Sequence, residues 1–252
     1  MLNILKTYRF DDWFCFIGFI LIGFSLKSSL NLELLKYVLL SSFLLAYAFS
    51  LNNFYDRHET KRYFLWPLFF IFPMLFLFNI YQILLSFLFL IIVTLYSAYP
   101  FRLKNIPIIS SLLNGFGLII LFFIGYFHLQ SISAGLLVAP FLFSLQMVSQ
   151  FIHEIVDLKE DKKNKIVTTA GFLGKEKIKK LCCGFLWFAL LVSACLFYLN
   201  FVNILFIFIT FLFVTFFTYR MFTTKIDKNL RKEYKKLGII VGLIYFILLF
   251  KP

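Results

Sequence analysis

Long apolar runs without charged residues constrain this chain more than any other feature of its sequence. No Asp, Glu, Lys or Arg occurs in 63–101, in 106–152 or in 181–219. The sequence is 62% hydrophobic and its mean hydropathy is +0.90, whereas about half of the residues of a soluble domain are apolar. These runs predict an all-α, polytopic membrane protein.

Nine membrane crossings follow from the lengths of the apolar runs. A helix needs roughly 20 mostly apolar residues to cross a bilayer core, so each of the three long runs must fold back once. The polar residues at Asn79–Gln82, His128–Ser133 and Asn200–Asn203 mark the predicted breaks. The other three predicted spans are Trp13–Ser28, Leu34–Leu51 and Leu237–Phe250. No cleavage pattern follows the first span, so we expect the N-terminus to be retained.

The basic residues predict the orientation of the chain. The formal net charge is +13, and nearly all Lys and Arg residues follow predicted spans two, four, six and eight. The positive-inside rule therefore places these segments, the acidic motifs among them and the N-terminus in the cytoplasm, with the C-terminus outside. Because the charge is confined to inter-span segments, no nucleic acid partner is expected. Lys225–Lys236 is predicted to be a cytoplasmic loop against anionic headgroups of membrane lipid.

A stripe of polar residues enters the sixth predicted span and ends in carboxylates. Spacings of four, four, three and four bring these residues to one face of a helix with about 3.6 residues per turn. They are Gln146, Gln150, Glu154, Asp157 and Asp161. Such carboxylates suit Mg²⁺, which prefers oxygen ligands and often joins one or two carboxylates to phosphates. The alternative is that Asp157 and Asp161 only neutralise neighbouring lysines.

A shorter polar pair ends the second predicted span. Asn52 and Asp56 are four residues apart, and they belong to the same predicted side of the membrane as Asp157. Two metal-competent motifs on one side are typical of a site that holds a diphosphate. Glu59 is a further candidate ligand, although it could instead pair with Lys61 or Arg62.

A third candidate segment follows the fourth predicted span. Tyr99, Arg102 and Lys104 are close in sequence, again at a predicted cytoplasmic helix end. Arg102 could bind diphosphate oxygens through its planar fork, and Lys104 could do so as a point charge. Anchoring of positive residues on the cytoplasmic side explains both residues equally well in isolation.

Together these motifs resemble those of the UbiA-type intramembrane prenyltransferases, a superfamily in which nine transmembrane helices surround a central cavity. Asn52-x-x-x-Asp56 matches the first two positions of the family's NxxxDxxxD-type motif. Asp157-x-x-x-Asp161 matches its DxxxD-type motif, and Glu154 occupies a leading position that is commonly acidic or polar. The resemblance covers essentially the whole chain. It implies one transmembrane domain over 1–252, with acidic motifs at 52–60 and 154–161.

The first motif departs from the family pattern at three points. Its third acidic position is Thr60, Asn53 stands where Asp is frequent, and the usual Arg-Pro after the motif is absent. These departures affect the ligands of the first metal ion, whereas Asp56, Asp157 and Asp161 are all present.

The resemblance implies Mg²⁺-dependent transfer of a prenyl group from a prenyl diphosphate to an aromatic or lipid-like acceptor, through an allylic carbocation. The implied catalytic residues are Asp56, Asp157, Asp161 and Lys104. The implied diphosphate-binding residues are Asn52, Asn53, Arg62, Tyr99, Arg102 and Lys104. The implied Mg²⁺ ligands are Asn52, Asp56, Asp157 and Asp161, with Glu59 and Glu154 as further candidates.

Two other functions stay open. A weakened or inactive relative that binds isoprenoid lipid would fit Thr60 and the missing Arg-Pro. An ion-coupled transporter would fit the stripe of Gln146, Gln150 and Glu154, but its acids would be expected near mid-membrane rather than at span ends. The identity of the acceptor, the prenyl chain length and the oligomeric state do not follow from the residues.

Overall fold

Helices form all the regular structure in the part of the chain that the structure describes. The computed structural model describes residues 8–26, 31–56, 62–127, 133–163 and 166–249. No strand occurs among these residues, which confirms the all-α prediction. A helix suits long apolar segments because it pairs its backbone N–H and C=O groups within the segment itself.

Eleven α-helices follow one another in the described residues. The first five are α1 (Phe10–Trp13), α2 (Ile17–Ser25), α3 (Glu33–Asp56), α4 (Leu65–Leu75) and α5 (Ile80–Ser97). The other six are α6 (Ile109–Tyr126), α7 (Ser133–Lys163), α8 (Thr169–Leu173), α9 (Lys175–Tyr198), α10 (Ile204–Thr223) and α11 (Lys228–Leu249). Two short 3-10 helices, Phe14–Phe16 and Leu103–Asn105, precede α2 and α6.

Six helices of the described chain are long and apolar enough to cross a membrane, by length and composition. They are α3, α5, α6, α7, α9 and α10. The apolar helices α2 and α4 have 9 and 11 residues, fewer than the roughly 20 that a crossing needs. The first turns of α11 are charged. The count of nine crossings therefore stays a prediction.

Two of the predicted breaks coincide with helix starts that polar side chains cap. Asn79 precedes α5 and accepts the N–H of Gln82 at 3.1 Å, while the Gln82 side chain accepts the N–H of Asn79 at 3.1 Å. Asn203 precedes α10 and accepts the N–H of Phe206 at 3.0 Å. These bonds satisfy backbone donors that a helix start leaves unpaired, and both breaks are confirmed. The predicted break at His128–Ser133 lies almost entirely outside the described residues.

The described residues pack as two compact units. The first unit comprises the described residues up to 103 together with 120–127. The second unit comprises 104–119 and the described residues from 133 to 249. The start of α6 therefore belongs to the second unit, and its end belongs to the first.

Close backbone contact between α2 and the end of α6 organises part of the first unit. A Cβ atom on Gly23 would lie 2.1 Å from the carbonyl oxygen of Phe122, and one on Gly125 would lie 2.2 Å from that of Ile20. Each distance is too short for a side chain, so glycine is needed at both positions. Small residues of this kind let apolar helices approach closely and gain van der Waals contact.

An apolar core holds α7 against α9 and α10 in the second unit. Met147 and Phe151 of α7, Cys182 and Leu186 of α9, and Phe217 of α10 are each at most 3% exposed. This packing fixes the direction of α7 and with it the position of the carboxylates at its end.

The basic stretch Lys225–Lys236 is helical from Lys228 onward, so it is not the irregular loop that the sequence predicted, while its cytoplasmic side and its contact with headgroups stay predictions. α11 begins within this stretch, and Asp227 caps its first turn. Leu230 and Tyr234 are buried, and the Tyr234 hydroxyl donates to the carbonyl oxygen of Leu145 at 2.9 Å. The spacing of four between the two buried residues places them on one helix face, which packs despite the surrounding lysines.

Candidate active site

The end of α7 extends past the apolar part of that helix. α7 has 31 residues and is about 46 Å long at 1.5 Å per residue, whereas a bilayer core is about 30 Å thick. Its charged residues lie in the last turns, so 157–163 lie outside the membrane-spanning part. The carboxylates of Asp157 and Asp161 therefore lie where a water-soluble ion can reach them.

Asp161 lies among other carboxylates. Burial raises the pKa of Asp161 to about 6, with further contributions from the negative charges of Asp157, Glu154 and Glu160, while Lys104 opposes the shift. Bringing like charges together disfavours the ionised form of each. A cation bound at this end of α7 would relieve the repulsion.

Lys104 supplies a positive charge close enough to Asp161 for the two groups to influence each other. It belongs to the short helix Leu103–Asn105 and is 6% exposed. Burial lowers the pKa of Lys104 to about 8, and the charge of Asp161 partly offsets this shift. The structure thus brings together two of the predicted site residues within the second unit.

Asp157 is held by Arg231 from the start of α11. Arg231 Nη1 donates to both carboxylate oxygens of Asp157 at 3.3 Å. His153 Nε2 lies 3.5 Å from Oδ2 of the same carboxylate. The Asp157 carboxylate is therefore oriented by a second helix rather than left to rotate freely.

Glu154 is a buried acceptor that ties three segments together. It is 3% exposed. Its Oε1 accepts the Ser111 hydroxyl at 2.6 Å and the Gln150 side-chain amide at 3.0 Å, and its Oε2 accepts the Ala170 N–H at 2.9 Å. Because three donors already use its two oxygens, we expect Glu154 to position neighbouring segments more than to bind a metal ion.

The hydrogen bonds around Glu154 continue in one direction to Ile108 and in the other to Asn114 of α6. The Thr169 hydroxyl lies 2.5 Å from the Ser111 hydroxyl and accepts the N–H of Ile108 at 2.8 Å. Deeper in the helices, Asn114 donates to Gln150 at 2.6 Å. Since Ile108 follows Lys104 by four residues, these bonds hold the segment that carries Lys104 against α7 and α8.

A separate group of predicted residues meets in the first unit. Arg102 Nη2 lies 3.1 Å from Asp56 Oδ1. The Arg102 guanidinium also donates to the Tyr99 hydroxyl, and its Cζ lies 4.8 Å from the centre of the Tyr99 ring. The structure therefore joins Asp56, Tyr99 and Arg102 at the ends of α3 and α5.

The Arg102 guanidinium does not use all of its N–H donors within the described residues. Its Nε is buried and has no hydrogen-bond partner in the described residues. Its backbone has a φ of 38°, in the left-handed region that costs energy for a residue with a side chain. Because Nε is buried, a diphosphate would instead reach the N–H groups of Nη1 and Nη2 that Tyr99 and Asp56 leave unused.

The other predicted residues of the first motif are less informative. Asn53 is 2% exposed, Asn52 is partly exposed, and Arg62 is exposed just before α4. Glu59 and Thr60 lie outside the described residues. The roles predicted for these residues stay predictions.

The donors at the end of α7 fit Mg²⁺ chemically. No group of three or more His, Cys, Asp or Glu side chains suited to a metal ion occurs in the described ranges. Mg²⁺ does not need such a group, because it keeps several waters and commonly takes one or two carboxylates plus substrate phosphates. Asp157 and Asp161 can supply those carboxylates, and a divalent ion would neutralise the neighbouring negative charges that, after burial, contribute to the raised pKa of Asp161.

Several residues around the carboxylates were not singled out from the sequence. Ser111 and Asn114 are polar residues three apart in an apolar span, a pattern that indicates a buried role because polar groups are costly in a membrane. Arg231 carries no comparable signal. Arg231 is one basic residue among many, and only the packing of α11 brings it to Asp157.

Comparison with solved structures identifies relatives with the same fold. A UbiA homologue from Archaeoglobus fulgidus bound to GPP and Mg²⁺ is 20% identical, with a TM-score of 0.76 over 97% of this chain and 99% of that chain. Another structure of a UbiA homologue from that organism gives a TM-score of 0.77 at 20% identity over 98% of each chain. A digeranylgeranylglyceryl phosphate synthase structure gives 0.73 at 17% identity, covering 99% of this chain and 100% of that chain.

The sequence itself assigns the family. No curated protein matches the chain significantly. The model of the UbiA prenyltransferase family matches residues 58–248, which is well over half of the chain and includes the end of α7, Lys104 and Arg231. The chain therefore belongs to the UbiA prenyltransferase family.

Proposed function

We propose that this protein is an intramembrane prenyltransferase that moves a prenyl group from a prenyl diphosphate to an aromatic or lipid-like acceptor and requires Mg²⁺. Membership of the UbiA prenyltransferase family supports the class of reaction. The A. fulgidus homologues bound to GPP and Mg²⁺ and to DMAPP and Mg²⁺ support the class of donor and the ion.

The observation that carries the proposal is the charge distribution at the end of α7. Asp157, Asp161, Glu154 and Glu160 gather negative charge there, and their repulsion contributes to the raised pKa of Asp161. Lys104 is buried beside them. Carboxylates next to a buried cation suit a divalent ion together with a polyanion, because each charge in that set has an opposite neighbour.

The motifs supply the proposed ligands. Asn52, Asp56, Asp157 and Asp161 are the proposed Mg²⁺ ligands, with Glu59 a further candidate. When bound, Mg²⁺ offsets the negative charge that develops on the diphosphate as it leaves. Arg102 and Lys104 donate hydrogen bonds to diphosphate oxygens, Arg102 through a planar fork and Lys104 as a point charge. Asn53, Arg62 and Tyr99 complete the proposed set of contacts.

The transfer itself breaks one bond and forms another. The allylic C–O bond breaks with its electron pair going to the diphosphate, which leaves an allylic carbocation. The faces of aromatic rings can stabilise such a cation by about 1–2 kcal/mol each when water is excluded. A nucleophilic carbon or hydroxyl oxygen of the acceptor then bonds to the cation and loses a proton. The apolar helices suit this chemistry because they keep water from the cation.

The proposed topology follows the sequence pattern and the family. We propose nine crossings around a central cavity, with residues 1–252 forming one transmembrane domain. The N-terminus and both acidic motifs would face the cytoplasm, and the C-terminus would lie outside. The six helices of sufficient length and apolarity in the described chain support a polytopic integral membrane protein.

Diphosphate release by the purified full-length protein in lipid tests the proposed function. Prenyl diphosphates of increasing length are supplied with and without Mg²⁺ and with a mixture of aromatic and lipid-like acceptors. We expect release that requires both Mg²⁺ and an acceptor, and the preferred donor identifies the chain length. Saturable donor binding without release would instead favour an isoprenoid-binding relative, as the departure at Thr60 would allow.

A further inference from the structure

A cavity rimmed by lysines lies beside α7 in the second unit; we refer to it as the lysine cavity. Its volume is about 160 Å³, which is room for a phosphate group with waters of about 30 Å³ each. Its rim carries Lys159, Lys175, Lys225 and Lys228, and its floor includes Ile155 and Ile226. Three separate segments of the chain thus direct lysines to one concave surface.

The lysine cavity is distinct from the carboxylate end of the candidate active site. Successive residues of a helix are about 100° apart, so Ile155 and Lys159 lie about 160–200° around α7 from Asp157. Asp161 is only about 40° from Asp157 by the same geometry. The cavity is therefore centred on a different face of α7 from the carboxylates.

The charges of the lysine cavity are largely uncompensated within the protein. None of its four lysines forms an ion pair with a carboxylate in the described part of the chain. One acid, Asp227, also lines the cavity, but its Oδ1 accepts the N–H groups of Asn229 and Leu230 and caps α11. A concave surface with this excess of positive charge attracts anions.

The surroundings of the cavity favour a lipid as the source of the anion. Phe216, Tyr219 and Phe222 on the last turns of α10 are 39%, 65% and 68% exposed, and Lys225 follows three residues later. Exposed aromatic residues at the end of a membrane helix are typical of the headgroup level. A lipid could place acyl chains along this apolar face while its phosphate reaches the lysines.

We propose that the lysine cavity binds the phosphate of an anionic membrane lipid. Basic pockets between helices on the cytoplasmic side recognise anionic headgroups, and each lysine near the surface contributes attraction. The apolar floor formed by Ile155 and Ile226 accommodates the glycerol end, while the ammonium groups on the rim surround the phosphate. The bound lipid would join α7, α9 and α11, which carry Lys159, Lys175 and Lys228.

The test compares two variants of the full-length protein with the same loss of charge. The cavity variant is Lys175→Gln with Lys225→Gln and Lys228→Gln. The control variant is Lys177→Gln with Lys180→Gln and Lys232→Gln, three exposed lysines of the same unit that do not line the cavity. Binding of phosphatidylglycerol and phosphatidylcholine to each detergent-purified protein is measured by native mass spectrometry.

We expect the cavity variant to bind phosphatidylglycerol roughly ten- to a hundredfold more weakly than the wild type, and the control variant to differ by less than about twofold. Arginine at the same three cavity positions should retain binding, which separates loss of charge from misfolding. Equal losses in the two glutamine variants would overturn the proposal, since they indicate general surface charge. Binding of inorganic phosphate as tight as that of phosphatidylglycerol would overturn the lipid assignment.

Discussion

The ends of α3 and α7 both carry carboxylates, but they balance charge in different ways. At the end of α3, Asp56 pairs with Arg102 at 3.1 Å, and the Asp56 side chain is 32% exposed. At the end of α7, three other carboxylates contribute to the raised pKa of Asp161, and Lys104 only partly offsets the shift. The first is a neutral pair near water, and the second is a partly buried cluster in which Arg231 pairs with Asp157 while the carboxylates still outnumber the cations around Asp161.

This difference indicates where a divalent ion is needed most. Removing a carboxylate from the neutral pair at α3 leaves Arg102 available to a diphosphate. Removing carboxylates from the α7 cluster removes the negative charge that would attract Mg²⁺. We therefore assign most of the Mg²⁺ affinity to the end of α7.

The largest expected effect comes from neutralising the α7 carboxylates. Asp157→Asn combined with Asp161→Asn should lower prenyl transfer roughly a thousandfold or more, because several kcal/mol of charge stabilisation are lost. Mg²⁺-dependent diphosphate release from protein in lipid measures the loss. Glu33→Gln with Glu176→Gln, which removes the same charge at two acids of α3 and α9 with side chains 42% and 81% exposed, is the matched control. Turnover by the double variant near the wild-type rate would refute the metal assignment.

A second prediction concerns the support of the α7 cluster. Glu154→Leu should lower the free energy of unfolding by about 3 kcal/mol, because Ser111, Gln150 and the Ala170 N–H lose a buried acceptor. Glu154→Gln should cost about 1 kcal/mol, since one oxygen acceptor remains. Thermal unfolding in detergent reports both values. Equal stability of the leucine variant and the wild type would show that the network does not hold these segments.

A third prediction sharpens the role of the α3 end. Arg102→Gln should raise the KM for the donor roughly 10- to 100-fold, because hydrogen bonds to charged groups are worth about 1.5–3 kcal/mol. Arg102→Lys should recover only part of the loss, since lysine lacks the planar fork. The Mg²⁺ concentration needed for half-maximal rate should change little. A large shift in that concentration would mean that the α3 end contributes strongly to ion binding.

The smallest expected effect is on pH dependence. Lys104 has a pKa of about 8, so its charge is lost as pH rises through 8 and donor affinity should fall, by up to roughly tenfold between pH 7 and 9. Asp161 has a pKa of about 6, so its protonation as pH falls below 6 should weaken Mg²⁺ binding. Donor titrations across pH measure the change in binding on both the acidic and the alkaline side. Lys104→Arg, which stays charged, should abolish the loss of donor affinity at alkaline pH.

Much of the fold could be predicted because membrane helices are encoded by local composition. Apolar runs of sufficient length predicted the helices, and Asn79 and Asn203 marked two helix starts through their own capping bonds. The start of α11 was missed because its lysines outweigh Leu230 and Tyr234 in a composition-based assignment. Whether those two residues are buried depends on packing against other helices, which no local pattern contains.

The candidate site likewise has a part that the sequence predicted and a part that depends on the packing of the helices. The spacing of Glu154, Asp157 and Asp161 follows from helix periodicity, so the sequence was sufficient to group them on one face. The partners of these residues were not predictable in the same manner. Arg231 is 74 residues away from Asp157 in sequence. Two of the three donors to Glu154, Ser111 and the Ala170 N–H, are identified only once α6, α7 and α8 are packed together.

The Mg²⁺ dependence of donor binding tests most directly whether the ion binds at the end of α7. Binding of a prenyl diphosphate to the wild type, Asp157→Asn/Asp161→Asn and the control Glu33→Gln/Glu176→Gln is measured by calorimetry with and without Mg²⁺. We expect tight binding only with Mg²⁺, its loss in the Asp157→Asn/Asp161→Asn variant and its retention in the control variant. Equally tight binding by wild type and double variant, with or without Mg²⁺, would contradict the assignment of the ion to the end of α7.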